Sequence, residues 1–262
     1  MKEEIKEAFF NKRFIISVGI MLICFLGVSY PNWIDSSEWG DIYRPTALEQ
    51  ILGGIFFGGV MLMMPFCASF TYAVNQVDEI KTGYFYLKIM RTNVSKYIKN
   101  KVIATTLGGA SAITIAYVLN AVIWHVIAMP YDPLMYESQK IYFSEAVIWH
   151  DWDEICYALP IYIWIGGGMF FTSAVWALFG LMTAVWVPDR VLCTVIPACV
   201  YYLWMAGFAR YLFGVNLASP EALFNDGLTM STLVQILITY GILLVTIYTL
   251  FFIGVKKRSQ HG

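Results

Sequence analysis

The chain has 262 residues, 59% of them hydrophobic and 13% charged, with a formal net charge of −1 and a mean hydropathy of +0.63. A water-soluble domain carries about a quarter charged residues and roughly half apolar ones. A soluble enzyme is therefore excluded, no nucleic-acid partner is expected, and the composition is that of an all-α integral membrane protein solvated by lipid, in which the placement of charge matters more than its sum.

The N-terminal segment KEEIKEAFFNKRF places Ile5, Phe9 and Phe10 on one helical face with Glu and Lys opposite. This pattern predicts an amphipathic helix over 1–13 lying in the headgroup layer. The alternative is a solvated tail. The apolar run that follows, 14–30, is longer than a signal-peptide core, and Tyr30-Pro31-Asn32-Trp33 stands where a small-residue cleavage site belongs, so a retained first span is expected.

A hydrocarbon core of about 30 Å needs about 20 residues of helix, and five further segments are long and apolar enough: 51–74, 102–129, 157–187, 191–213 and 231–255. Six spans form a single transmembrane domain over 1–262 and return both termini to one side. Gly54 and Gly58 form a G-x-x-x-G in the second span, which permits close helix approach within one subunit or across a dimer. Pro65 and Pro197 can kink the second and fifth spans. Gly166-Gly167-Gly168 marks the place for a broken helix if the fourth span has one.

Sidedness follows from the basic residues. If the N-terminus is cytoplasmic, the inner segments hold Lys2, Lys6, Lys12, Arg13, Lys81, Lys88, Arg91, Lys96, Lys99, Lys101, Arg190, Lys256, Lys257 and Arg258, which is 14 of the 17. Only Arg44, Lys140 and Arg210 fall outside, and 12 of the 18 acids lie on that outer side. Basic flanks resist translocation, so both termini are expected in the cytoplasm of a cell-membrane protein.

Chemistry-bearing motifs are sparse. Cys24, Cys67, Cys193 and Cys199 fall inside the expected spans and Cys156 near the outer face, which implies no disulfide framework. His150, Asp151, Asp153 and Glu154 lack paired-ligand spacing, so no metal is expected, and Trp149 and Trp152 fit an interfacial aromatic belt. No paired intramembrane Asp, HExxH, Gly-x-Ser-x-Gly or G-x-x-x-x-G-K-[ST] occurs, so neither a catalytic residue nor a nucleotide site is expected. Within the drawn spans the only formal charge is Arg210, with His125 near the outer end of the third. Ion-coupled carriers keep buried charges where they work, which argues against that mechanism.

The segment 75–101 contains DEIKTGYFYLKIMRTNVSKYIKNK from Asp78 onward. Ile80, Tyr84 and Leu87 have helical spacing over 79–90, a length of roughly 18 Å that is too short and too charged to span. Thr92 and Asn93 interrupt it, and Asn93 or Ser95 can cap a new helix running into the third span. Val187-Pro188-Asp189-Arg190 makes a tight turn between the fourth and fifth spans. Asn93-Val94-Ser95 matches a glycosylation triplet but lies on the expected cytoplasmic side.

Glu79, Gly83 four residues later, an apolar stretch, Arg91, Asn93-Val94-Ser95-Lys96 and Lys101 at the mouth of a span together resemble the first cytoplasmic loop of membrane subunits of ATP-binding cassette exporters of the type-2 permease class. That family often has Pro-Val-Ser-Arg where this chain has Asn-Val-Ser-Lys. The resemblance implies that the helix after the second span is a coupling helix seated in a cleft of a separate ATPase subunit, with Glu79, Gly83, Tyr84, Leu87 and Arg91 at the contact. It implies that the N-terminal helix is the family's membrane-surface connecting helix, anchored by Phe10, Lys12 and Arg13, and that Pro65 and Pro197 lie on spans along the translocation path. ATP and Mg²⁺ would be held by the partner ATPase and no cofactor by this chain, which would pair with a second permease copy or paralogue. The expected function is export of a hydrophobic or amphipathic substrate, first an antimicrobial or toxin-like peptide and next a lipid or drug-like molecule. The alternatives are an ATP-independent carrier or channel, and a non-transporting sensor or assembly module.

Overall fold

The structure, a computed structural model, describes residues 2–38, 47–57, 59–127, 159–204 and 230–261. Among the described residues the chain forms nine α-helices and no strand: α1 (Lys2–Phe9), α2 (Lys12–Glu38), α3 (Ala47–Phe57), α4 (Val60–Lys81), α5 (Tyr84–Thr92), α6 (Val94–Ile127), α7 (Leu159–Trp186), α8 (Leu192–Leu203) and α9 (Met230–His261). Five stretches are long and apolar enough to cross a bilayer: Glu3–Gly27, Val60–Lys81, Val94–Ile127, Tyr162–Trp186 and Ile236–Gln260. The protein is thus an α-helical membrane protein with five such spans among its described residues. Of the fifth expected span, 191–213, residues 191–204 are described; α8, at 12 residues, rises roughly 18 Å, and Arg210 lies outside the described residues.

Helix α4 is central, packing against α2, α6, α7 and α8. Lipid tails are as apolar as a helix surface, so spans associate through close packing of small residues. At Gly109 of α6 an added Cβ would collide with the Ala177 methyl of α7 and lie 2.9 Å from the Ala68 carbonyl of α4. At Gly180 of α7 it would lie 2.6 Å from Ser69 Cβ. The Ser69 hydroxyl bridges the Pro65 carbonyl at 2.8 Å and the Trp176 carbonyl at 3.0 Å, tying α4 to α7 one turn beyond the proline. Both Pro65 and Pro197 are buried inside their helices, α4 and α8.

The expected second span, 51–74, is corrected. It divides at Gly59, whose φ of +59° and ψ of 7° are left-handed, a conformation that glycine adopts without a Cβ penalty. Helix α3 lies before this break, and α4 continues past 74 to Lys81, so 75–81 are helical and not loop. Gly54 is buried in α3, whereas Gly58 lies outside the described residues. Helix α7 runs unbroken through Gly166, Gly167 and Gly168, so no helix break occurs there. His150, Asp151, Asp153, Glu154, Trp149, Trp152 and Cys156 lie outside the described residues, and the other four cysteines are free thiols.

Arg13 at the start of α2 pairs with Asp78 near the end of α4 at 2.9 Å, and Arg190 after α7 pairs with the same carboxylate at 2.7 Å. Arg258 near the end of α9 donates to the Val185 carbonyl at 2.6 Å. These contacts gather the first and last helices at one end of the bundle, the end rich in basic residues.

Candidate functional site

The basic end is organised by two sharp backbone turns that set α5 between α4 and α6. Helix α4 stops at Thr82, whose N–H donates to the Asp78 carbonyl and whose hydroxyl does the same at 2.8 Å. Gly83 follows at φ +73°. Nothing lies within 4 Å of a Cβ built on it, so glycine is used for its dihedral angle and not for close approach within this chain. Helix α5 ends at Asn93, which at φ 72° and ψ 143° is the only non-glycine residue with positive φ among those described. Its N–H donates to the Ile89 carbonyl and its carbonyl accepts from Tyr97, each at 3.0 Å, so one residue closes α5 and opens α6.

One face of this helix is anchored inward. Phe85 is fully buried and meets the Tyr97 ring edge-on at 5.4 Å. The other face carries Tyr84, Leu87 and Met90, respectively 44%, 50% and 79% exposed, with Arg91 exposed beside them. Large apolar side chains are also exposed along the lipid-facing spans; this set differs in lying on a nine-residue helix too short to cross a bilayer.

Beneath α5 lies a quartet of charges from four helices, with Glu4, Glu79 and Lys101 buried and Lys88 half-buried. The Lys88 ammonium of α5 sits 2.6 Å from Glu4 of α1 and 2.7 Å from Glu79 of α4. The Lys101 ammonium of α6, with no exposed surface, sits 2.8 Å from Glu4 and 2.7 Å from Glu79. It also donates to the Tyr72 hydroxyl at 3.0 Å, and that hydroxyl donates in turn to Glu4. Tyr97 places its hydroxyl 2.8 Å from Gln76 Oε1 and 3.0 Å from Glu79 Oε2. Two carboxylates and two ammoniums cancel, and all three Lys101 protons have acceptors, the condition under which buried charge is tolerated. Burial works against the charge on Lys88, yet hydrogen bonds and attraction from Glu4 and Glu79 outweigh it and hold its pKa above the ordinary lysine value. Carboxylate oxygens of Glu4, Glu7 and Glu79 lie within 4.8 Å of one another. The two ammoniums already supply the positive charge there that a metal would bring.

The structure brings some of the residues expected from sequence together and distributes others. Gly83, Tyr84, Leu87 and Arg91 fall on or at the start of α5. Glu79 is at the end of α4, buried, with its carboxylate engaged by Lys88, Lys101 and Tyr97. The N-terminal helix is also corrected in detail: α1 ends at Phe9 and packs against α6, with Ala8 3.1 Å from a Cβ built on Gly108. Its Glu4 points inward and not to the headgroups. Phe10, in the bend after α1, is 84% exposed and Lys12 is exposed, while Arg13 is occupied by Asn75 and Asp78. Asp189 in the turn before α8 accepts from the N–H groups of Val191 at 2.9 Å and Leu192 at 3.1 Å. The Leu192 and Val191 donors lower its pKa.

Glu4, Tyr72, Gln76, Lys88, Tyr97 and Lys101 were not read as one group in the sequence. A signal exists in the spacing: Tyr72, Gln76 and Glu79 recur at i, i+4 and i+7 on α4, and Tyr97 and Lys101 at i and i+4 on α6, each a polar stripe entering an apolar helix. Toward the other end of the bundle, a cleft of about 650 Å³ opens between α6 and α7, lined by Thr114, Tyr117, His125, Gly166, Gly167 and Phe170 among others.

No family model matches the chain, and no curated protein or solved structure matches it either.

Proposed function

We propose that this protein is the permease subunit of an ATP-driven exporter, in which α5 is the coupling helix that docks on a separate ATPase subunit. The observation that carries this reading is the geometry of α5. A short helix is set between two sharp turns, presents Tyr84, Leu87, Met90 and Arg91 outward, and is locked from behind to α1, α4 and α6 by the charged quartet. Such a helix can transmit a push: its outer face offers apolar anchors and a guanidinium to a partner cleft, and its inner face moves only with the spans. Glu79 then serves from within, positioning α5, and not at the partner contact.

In this reading the basic end is cytoplasmic in the cell membrane, and the chain pairs with a second copy or paralogue and two ATPase subunits that bind ATP and Mg²⁺. Closure of the ATPase pair carries both coupling helices together and exchanges inward-open for outward-open states. The apolar cleft between α6 and α7 supports a hydrophobic or amphipathic cargo, with an antimicrobial or toxin-like peptide placed before a lipid or drug-like molecule.

The test is co-purification with a soluble subunit carrying G-x-x-x-x-G-K-[ST]. Tyr84→Ala/Leu87→Ala should lower recovery of that subunit while leaving membrane insertion unchanged, since truncating two anchors at a protein contact costs about 2–4 kcal/mol. Undiminished recovery would refute the docking face. The buried Glu and Lys pairs also favour a second reading, a carrier that acts alone and moves protons through the quartet. Transport by reconstituted chain under a pH gradient with no ATPase present would establish that alternative.

A further inference from the structure

A second cleft, of about 400 Å³, lies at the basic end between α7 and α9, lined by Tyr86 of α5, Val185 and Trp186 of α7, and Gly254, Lys257 and Arg258 of α9. We propose that it binds the phosphate of an anionic phospholipid.

The walls are built and not loosely assembled. Arg258 Nε donates to the Val185 carbonyl at 2.6 Å, which fixes the guanidinium and leaves its remaining N–H groups for a ligand. The Trp186 indole N–H donates to the Leu250 carbonyl at 3.2 Å. Gly254 permits the approach of the two helices, because a Cβ there would lie 2.9 Å from Val185 Cγ1. No lining residue is acidic, and neither Lys257 nor Arg258 is ion-paired among the described residues.

The same surface says which anion source fits. Leu250, Ile253 and Lys257 recur at i, i+3 and i+7, so one exposed stripe of α9 runs from two apolar side chains, 39% and 47% exposed, onto the cation at the cleft. That is the polarity sequence of a lipid, with its acyl chain along Leu250 and Ile253 and its phosphate at Lys257 and Arg258. Basic pockets between spans at the headgroup level hold anionic lipids in this way. Basic residues at a helix C-terminus also complement its dipole, but Lys256 does that equally and does not line the cleft. Because Tyr86 belongs to α5, an occupied cleft braces that helix from the side opposite the quartet. The inference requires only that the chain lies in a bilayer, and stands whether or not α5 meets an ATPase.

Native mass spectrometry of the purified full chain, titrated separately with phosphatidylglycerol and phosphatidylcholine of matched acyl chains, tests it. Phosphatidylglycerol should be retained over phosphatidylcholine by roughly thirtyfold, equal to about 2 kcal/mol for two basic side chains. Lys257→Gln/Arg258→Gln should abolish the preference, Lys257→Arg/Arg258→Lys should restore it, and Lys256→Gln should leave it intact. Equal retention of the two lipids by wild type, or a preference that survives the double Gln substitution, would overturn the proposal. Full displacement of bound phosphatidylglycerol by millimolar inorganic phosphate would also overturn it, by showing a site for free anions.

Discussion

Replacing Lys101 by Met keeps most of the unbranched side chain and removes its charge from the centre of the quartet. In the wild type the ammonium lies 2.8 Å from Glu4, 2.7 Å from Glu79 and 3.0 Å from the Tyr72 hydroxyl, with no exposed surface. At an effective dielectric near 20, each carboxylate contact is worth about 6 kcal/mol before desolvation. Most of that gross attraction is offset by the cost of bringing the charges out of water. What remains after one partner is removed is a buried carboxylate pair with Lys88 as its only cation, and a deletion of that kind costs about 3–5 kcal/mol. Pairing Lys101→Met with Glu4→Gln removes one charge of each sign, so the double variant should be destabilised by less than the sum of the singles, with a coupling of about 1–3 kcal/mol. Equilibrium unfolding in mixed micelles, run as a four-member cycle, measures both quantities. A Lys101→Met variant within 1 kcal/mol of wild type, or strict additivity in the cycle, would refute the account of the quartet as a paired unit.

Three further outcomes follow from the backbone and the packing. Gly83→Ala should cost about 1–2 kcal/mol through its left-handed dihedral alone, because its Cβ meets nothing within 4 Å; Gly83→Asn should recover part of the loss, as thermal melts can show. Asn93→Gly should relieve about 1–3 kcal/mol of backbone strain at φ 72°, ψ 143° and raise the melting temperature; an unchanged or lowered value would mean that the Asn93 side chain compensates for the strain. Gly109→Ala should destabilise by about 1–3 kcal/mol by overpacking against Ala177 and the Ala68 carbonyl, whereas Gly167→Ala on α7, with open space around it, should be neutral or stabilise by up to about 1 kcal/mol.

Much of the architecture is legible because hydropathy in a membrane protein reports directly on helix. The break before the third span was readable at Thr92-Asn93, since a residue that tolerates positive φ interrupts an apolar period there. The division of the second expected span was not: Gly59 lies in a continuous apolar run, and hydropathy averaging cannot separate a helix glycine from one in the left-handed region. That misplacement puts Glu79 on the loop helix, where the resemblance makes it a partner contact, whereas two more turns of α4 carry it into the interior. The quartet was hidden for a different reason. Glu4 pairs with lysines 84 and 97 positions away, and only tertiary packing tells a lysine that marks topology from one that is buried. The exposed set on α5, by contrast, was largely readable, because Tyr84, Leu87 and Arg91 follow one helical stripe.

Helix α6 runs between the two ends of this molecule as one continuous helix. Its 34 residues make a rod of roughly 51 Å at 1.5 Å per residue, with Lys101 near one end and His125 of the large cleft near the other. The distance between them along the axis is about 36 Å. If the quartet acts as a pivot, a tilt of about 5° at Lys101 sweeps His125 through about 3 Å on that arm, close to the length of one hydrogen bond. A small displacement delivered to α5 therefore need not travel through a chain of side-chain rearrangements. On that condition the leverage of α6 would suffice to widen or narrow the far cleft.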